Sequence, residues 1–221
     1  MFNSLYYLPN QIADLNGNQI IKNISLSNLK KQTEILVIDD ETFPLIDDLR
    51  RNEFSITYKV DISTIKDVEA YSIILCDIRG VGKFLKSSSE GAYLVDRIKS
   101  KYPTKIVISY SADTTSVDAQ KYLSSADNVV PKGTSIEDWV SILENSIKEL
   151  VNPVSVWRKI AIKLFKAGTP TRDIARIESR YVNAIKKGKY QSLSQLFEDN
   201  AELSSILSFM IQVLVKVFGA S

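Results

Sequence analysis

Five short apolar runs, separated by stretches with helical periodicity, set the pattern of residues 33–151. Each run is short, rich in Ile, Val and Leu, and bounded by polar residues, which is typical of a buried strand. In chain order the runs read TEILVIDD (33–40), SITYKV (55–60), SIILCD (72–77), TKIVISYS (104–111) and NVVPK (128–132). Continuous apolar strands that alternate with helices predict an α/β fold with a parallel sheet covered on both faces.

Four amphipathic segments separate or follow these strands and are predicted helices. They read DETFPLIDDLRRNEF (40–54), GAYLVDRIKSKY (91–102), TSVDAQKYLSSA (115–126) and SIEDWVSILENSIKELV (135–151). In the first of them, Pro44 is predicted to lie in the first turn, where its missing N–H is tolerated. Asn152–Pro153 then predicts a boundary, because a proline disfavours helix at the residue before it.

Residues 154–219 read as three further helices that form a small all-α domain. Their segments are VSVWRKIAIKLFKAG (154–168), TPTRDIARIESRYVNAIKKGK (169–189) and QSLSQLFEDNAELSSILSFMIQVLVKVFG (191–219). The last contains a 4-3-4-3 seam suited to packing against another helix, Leu203, Leu207, Met210, Leu214 and Val217. The segment is too short and too interrupted by polar residues to be predicted as a membrane span.

The balance of basic and acidic residues differs between the predicted α/β region and the predicted helical region. Residues 34–150 hold 14 Lys and Arg against 20 Asp and Glu, whereas residues 151–221 hold 11 against 5. The sequence therefore predicts three parts: an N-terminal extension of unclear role (1–33), an acidic α/β domain (34–150) and a basic helical domain (153–221).

Two compositional facts exclude whole classes of chemistry. The chain has no histidine, which excludes Ser-His and Cys-His nucleophile pairs and histidine-ligated metals. Its one cysteine, Cys76, excludes an internal disulfide and is predicted to be a buried thiol. A reducing, cytoplasmic location is the simpler interpretation.

The polar residues that end the predicted strands are the candidate functional residues. Asp39 and Asp40, Asp77, Ser111 and Lys132 follow four different strands. Ligands of a parallel sheet bind beside the carboxyl ends of its strands, so these side chains are expected to converge. Three carboxylates repel one another without a cation, and Mg²⁺ is the divalent ion that suits carboxylate oxygens and phosphate.

At these positions residues 34–150 resemble the receiver domain of two-component response regulators. Asp39–Asp40 in LVIDDE resemble the acidic pair of the family, and Asp77 in IILCD resembles its phosphoacceptor. Ser111 in SYSA resembles its hydroxyl residue, and Lys132 in SADNVVPK resembles its lysine. The order and spacing of these five residues carry the resemblance.

The resemblance implies a doubly wound, five-stranded, flavodoxin-like domain that takes a phosphoryl group from the phosphohistidine of a partner histidine kinase or phosphotransfer protein. Asp77 is then the nucleophile, Asp39, Asp40 and Asp77 hold Mg²⁺, and Ser111 and Lys132 bind the phosphoryl oxygens. Such a protein is a signalling phosphoacceptor and not an enzyme acting on a separate substrate.

Three features depart from the receiver pattern. The segment from Asp77 to Gly91 is long, lacks the usual proline and holds three serines. Gly133 stands where the family commonly has a proline after the lysine, and Val129 stands where it often has an aromatic residue that responds to phosphorylation. An alternative is therefore a receiver-like scaffold that binds partners without phosphorylation. Taken singly, the acids could instead cap a helix, Ser111 could be a turn residue and Lys132 a solvated loop residue.

The C-terminal domain is interpreted as an output or homodimerisation module, with a helix buried inside the monomer as the alternative. A second alternative is DNA binding, suggested by its basic residues, Arg158, Lys159, Lys163, Lys166, Arg172, Arg176, Arg180, Lys186, Lys187 and Lys189. The short turn and separate recognition helix of a helix-turn-helix motif are missing after KAGTPTRDIAR, so DNA binding is not favoured.

Overall fold

The computed structural model describes residues 10–85, 90–112 and 124–219. Two compact units make up the chain. The sheet unit is residues 26–147, and the helical unit combines residues 1–25 with residues 148–221. The sequence also predicts domain boundaries at residues 33/34 and 150/153. That these mark independently folding domains stays a prediction.

The sheet unit contains five parallel strands in the order β2-β1-β3-β4-β5. The strands span β1 Glu34–Ile38, β2 Ser55–Lys59, β3 Ile73–Asp77, β4 Ile106–Ser111 and β5 Asn128–Pro131. All five predicted strands are thus present. The predicted α/β class with a doubly wound parallel sheet is confirmed, because this strand order is that of flavodoxin-like folds.

Eight α-helices lie in the described residues. They span α1 Gly17–Lys22, α2 Leu26–Gln32, α3 Ile46–Arg51, α4 Glu90–Lys101, α5 Ile136–Val151, α6 Pro153–Lys166, α7 Thr171–Lys186 and α8 Ala201–Phe218. Four 3-10 segments add Ile12–Asp14, Ile65–Val68, Lys83–Leu85 and Tyr190–Phe197. The predicted helix at 115–126 falls largely outside the described residues.

Alternate residues of each central strand build two core layers, one on each face of the sheet. Leu36 and Ile38 of β1 join Ile74 and Cys76 of β3 in a cluster that packs against α4. Cys76 is a free, fully buried thiol, and burial raises its pKa far above the ordinary value. Strands buried on both faces explain why the runs are apolar at every position rather than at alternate ones.

The predicted helix at 40–54 is wrong in its first half. Helix α3 begins at Ile46, and Pro44 lies in a turn before it instead of in its first turn. Residues 39–45 therefore form a loop at the carboxyl end of β1. The carboxylate of Asp39 accepts the Glu41 N–H at 2.9 Å, which is a local bond that competes with helix formation.

The helical unit packs α6, α7, Tyr190–Phe197 and α8 around one core. Asn152 caps α6 by accepting the Val154 N–H at 2.9 Å, with Pro153 as the first helical residue. The rings of Trp157 and Tyr181 lie 5.2 Å apart between α6 and α7. The Tyr181 hydroxyl is fully buried and donates to the Pro153 carbonyl at 2.8 Å.

The described part of the N-terminal extension belongs to this helical unit. Glu178 of α7 accepts the Ile12 N–H at 2.7 Å with one carboxylate oxygen and the Trp157 indole N–H at 3.2 Å with the other. Lys186 pairs with Asp14 at 3.4 Å. The carboxylate of Glu178 thus joins α6, α7 and the first 3-10 segment.

Most of the predicted seam of α8 packs inside the helical unit. Leu203, Leu207, Met210 and Leu214 are buried, while Val217 is exposed. Within the described residues, α8 is the one helix whose length and composition would suit a membrane span, and core helices meet the same criterion. The burial of four seam residues favours the interpretation as a core helix.

Candidate functional site

The structure brings the five predicted site residues to one edge of the sheet. Asp39 and Asp40 follow β1, Asp77 ends β3, Ser111 ends β4 and Lys132 follows β5. They meet because the strands are parallel, so all their carboxyl ends lie on the same side. Of these residues, Asp39, Asp77 and Ser111 are buried, whereas Asp40 and Lys132 keep about a third of their side chains exposed.

Asp77 has both carboxylate oxygens engaged. Oδ1 accepts the backbone N–H groups of Ile78 at 2.6 Å and Arg79 at 3.3 Å, and Oδ2 accepts the ammonium group of Lys132 at 2.6 Å. Burial raises the pKa of Asp77, opposed by the Lys132 and Arg79 hydrogen bonds. For Lys132, burial acts to lower the pKa, but the bond and charge of Asp77 outweigh it and the pKa is raised.

Asp39 is held on both sides of its carboxylate. Oδ1 accepts the Glu41 N–H, and Oδ2 accepts the hydroxyl of Tyr110 at 2.8 Å. The backbone carbonyl of Asp39 lies 2.8 Å from the hydroxyl of Tyr58 in β2. The acid therefore has a fixed orientation at the end of β1.

Asp40 lies against the loop that follows Asp77. A Cβ at Gly80 would lie 1.9 Å from Oδ2 of Asp40, and Gly80 has a φ of 75°, a value that favours glycine. Lys83 of the same loop places its ammonium group 3.3 Å from Oδ2 of Asp40. The loop residue Gly80 is thus what allows Asp40 its position.

A divalent cation fits this set of donors. One oxygen from each of Asp39, Asp40 and Asp77 lies within 4.8 Å of the others. The donors are carboxylates alone, which suits Mg²⁺ or Mn²⁺ better than softer ions. The close approach that Gly80 permits keeps Asp40 in the cluster.

Sequence reasoning missed two residues of this edge. Asp61, which follows β2, accepts the N–H groups of Gly82 at 2.8 Å and Lys83 at 3.0 Å and so anchors the loop after Asp77. The rule that selected the other strand ends applies to Asp61 as well. Tyr110 lies inside an apolar strand and carried no sequence signal beyond its hydroxyl.

Comparison by sequence finds no match. No protein-family profile matches the chain, and a search of curated proteins finds no similar sequence.

Comparison by structure finds response regulators at low sequence identity. A CheY-like receiver domain protein from Methanospirillum hungatei is 17% identical, with a TM-score of 0.42, over 53% of this chain and 94% of that one. A Burkholderia pseudomallei response regulator with a phosphorylated aspartic acid is 18% identical, with a TM-score of 0.43, over 65% and 91%. NtrX from Brucella abortus is 21% identical, with a TM-score of 0.47, over 57% and 30%.

The sheet unit has the doubly wound, flavodoxin-like fold. Its own strand order and parallel pairing establish this. The loop after Asp77 is pinned to Asp61 and Asp40 as far as Lys83, and its residues 86–89 lie outside the described residues. Gly91, which resumes the chain in α4, donates its N–H to the Ile78 carbonyl at 3.1 Å.

Proposed function

We propose that the chain is a response regulator of a two-component phosphorelay, in which Asp77 accepts a phosphoryl group in the presence of Mg²⁺. The observation that carries the proposal is the convergence of a buried carboxylate, an ammonium group and an acidic pair at one sheet edge. These groups are Asp77, Lys132 and Asp39–Asp40. A metal-neutralised carboxylate beside a lysine is suited to phosphoryl transfer.

The transfer step forms one bond and breaks one. A carboxylate oxygen of Asp77 attacks the phosphorus of a partner's phosphohistidine, a P–O bond forms and the P–N bond breaks. The departing imidazole keeps the electron pair of that bond and takes up a proton. The N–H groups of Ile78 and Arg79 hold Oδ1 of Asp77, so the carboxylate keeps its orientation as the donor approaches.

The other site residues stabilise the charge of the phosphoryl group. Asp39, Asp40 and Asp77 would hold Mg²⁺, and its positive charge would then neutralise the transferring phosphoryl oxygens. The ammonium group of Lys132 gives up its hydrogen bond to Oδ2 of Asp77 and donates to a phosphoryl oxygen instead. Ser111 donates its hydroxyl to another of these oxygens.

The helical unit is proposed as the output part of this cytoplasmic protein, through homodimerisation or a partner protein. It leaves large apolar side chains exposed, Ile162, Phe165, Val217 and Phe218. Surface-exposed apolar side chains of this size are typical of contact sites when they lie together. DNA binding stays the less favoured alternative, supported by the exposed arginines of α7, Arg172, Arg176 and Arg180.

A receiver-like scaffold without phosphorylation is the second candidate, and one observation favours it. Two carboxylates of the acidic cluster already form ion pairs with lysines of this chain. Lys132 pairs with Asp77, and Lys83 pairs with Asp40. Internal cations can neutralise carboxylates that a metal would otherwise neutralise. In that case the site would be closed to phosphate.

Intact mass spectrometry separates the two candidates. The protein is incubated with Mg²⁺ and a small phosphoryl donor such as acetyl phosphate, and the mass is followed with time. Addition of one phosphoryl group that is lost in Asp77→Asn, retained in Asp47→Asn and abolished by chelating the metal supports phosphotransfer. Asp47 is a suitable control because it is an exposed carboxylate of α3 that is absent from the cluster. An unchanged mass in the unsubstituted protein overturns the proposal in favour of the scaffold.

A further inference from the structure

We infer that Tyr110 is a positioning residue for the metal site, acting through its hydrogen bond to Asp39. The inference rests on the proposed function, because it concerns the divalent cation that the acidic cluster would hold. Tyr110 does not belong to the acidic cluster itself. Its hydroxyl instead reaches Oδ2 of Asp39 at 2.8 Å.

The position of Tyr110 in the sheet explains this contact. It lies on β4 directly opposite Asp77 of β3, one residue before Ser111. The side chain is 1% exposed and crosses to the end of β1. A buried tyrosine hydroxyl needs a partner, and the carboxylate of Asp39 is the one it meets.

Two further aromatic rings hold the Tyr110 ring in place. Phe43 from the loop after β1 lies 5.2 Å from it, and Trp139 from α5 lies 6.0 Å from it, both edge to face. Phe43 and Trp139 also contact each other at 5.7 Å. A ring packed between two buried neighbours has little freedom to rotate, so its hydroxyl is presented to Asp39 in a fixed direction.

This fixed donor determines how Asp39 can meet a cation. With Glu41 N–H on Oδ1 and Tyr110 on Oδ2, the carboxylate cannot turn about its bond to Cβ without losing one of the two bonds. Each oxygen retains a lone pair for a metal. Groups that orient metal ligands in this way typically change metal affinity by about 10–100-fold when they are removed.

The Lys132 ammonium group lies 5.9 Å from the centroid of the Tyr110 ring. The same ring therefore adjoins both the acid of β1 and the lysine that pairs with Asp77. A purely structural tyrosine would contribute packing alone. A positioning tyrosine contributes through its hydroxyl, and the two roles are separable by removing one oxygen atom.

The test measures the affinity of the full-length protein for Mn²⁺, which prefers the same oxygen donors as Mg²⁺. Free Mn²⁺ is followed by electron paramagnetic resonance at 10 °C, with Mg²⁺ competition to confirm a shared site. Tyr110→Phe is expected to weaken Mn²⁺ binding by about 10–100-fold. Far-UV circular dichroism melting curves establish that each variant is folded at the working temperature.

Two matched variants control the measurement. Tyr181→Phe makes the same chemical change at a buried tyrosine that bonds a carbonyl of the helical unit, and binding is expected to stay within about threefold. Phe43→Leu loosens the packing around the Tyr110 ring but keeps its hydroxyl, and the loss is expected to be smaller than in Tyr110→Phe. Because Phe43→Leu loses stability without losing the hydroxyl, it also separates poor folding from poor positioning.

The outcomes separate metal binding by the acidic cluster from the role of Tyr110 in it. Absent Mn²⁺ and Mg²⁺ binding in the unsubstituted protein overturns the proposed function, and this inference with it. Unchanged affinity in Tyr110→Phe, where the unsubstituted protein binds, overturns the inference alone. An equal loss in Tyr110→Phe and in the control Tyr181→Phe shows that the effect is not specific to the bond with Asp39, and it also overturns the inference.

Discussion

The ammonium group of Lys132 lies 2.6 Å from Oδ2 of Asp77, across two strands and 55 residues of sequence. The carboxylate is 2% exposed, whereas about a third of the lysine side chain is accessible. The acid of this pair is therefore buried, whereas the side chain of the lysine is partly accessible from solvent.

Replacing Lys132 with methionine is expected to slow phosphorylation of Asp77. The variant lacks the cation that would neutralise phosphoryl oxygens, and removal of one such stabilising group costs about 10²–10³-fold in rate. The rate is measured by intact mass after addition of acetyl phosphate and Mg²⁺. Lys66→Met, at an exposed position, is the control and should match the unsubstituted protein. An unchanged rate in Lys132→Met would contradict the role of the lysine.

Replacing Lys83 with methionine is expected to strengthen Mg²⁺ binding. The Lys83 ammonium group pairs with Asp40 at 3.3 Å and competes with a cation for the same carboxylate. The pair is largely solvated, so the gain should be modest, about two- to fivefold, as for a pair contributing up to about 1 kcal/mol. Mn²⁺ titration with Mg²⁺ competition provides the measurement, again with Lys66→Met as control. Weaker binding in Lys83→Met would show that Lys83 supports the site.

Gly80→Ala is expected to destabilise the sheet unit and to weaken metal binding together. The positive φ costs an alanine about 1–2 kcal/mol, and the new Cβ would overlap the carboxylate of Asp40. Gly133→Ala is the control, because a Cβ there meets nothing within 4 Å. Urea unfolding gives the stability and Mn²⁺ titration the affinity. Loss of stability with unchanged affinity would mean that Asp40 does not ligate the metal.

Tyr181→Phe is expected to lose less stability than the unsubstituted protein as the pH rises above 10. Burial raises the pKa of Tyr181 above its unfolded value near 10, so its stabilising contribution is present below pH 10 and declines as the pH rises further. Above pH 10, each tyrosine that is buried in this way lowers the free energy of unfolding by about 1.4 kcal/mol per pH unit. At neutral pH the variant loses about 1 kcal/mol with the hydrogen bond to Pro153.

Urea unfolding between pH 8 and 11 gives the slope for both proteins. The slope does not vanish in Tyr181→Phe, because burial also raises the pKa of Tyr58, Tyr110 and Tyr190. Parallel curves for the two proteins above pH 10 would contradict the expectation for Tyr181.

The local pattern of apolar residues was sufficient to predict the strands of the sheet unit. The run around Val37 and the run around Leu75 are apolar at every position, and both became central strands buried on both faces. The polar residues after such runs, Asp39 and Asp77 among them, had to lie at one edge once the strands were parallel. The sequence was less reliable near Pro44, where the bond from Asp39 to the Glu41 N–H favours a loop over the expected helix.

The strands, their parallel arrangement and the set of acids, hydroxyl and lysine could be predicted from the amino-acid order alone, because they depend on short-range periodicity and on the direction of each strand. The folded structure was needed to show that Tyr110 bonds Asp39, 71 residues away, and that Asp61 anchors the loop at Gly82. It also placed residues 12–14 on α7 through Glu178 and Lys186. Such contacts join residues far apart in the chain, and their partners are chosen by the distances and directions that packing creates.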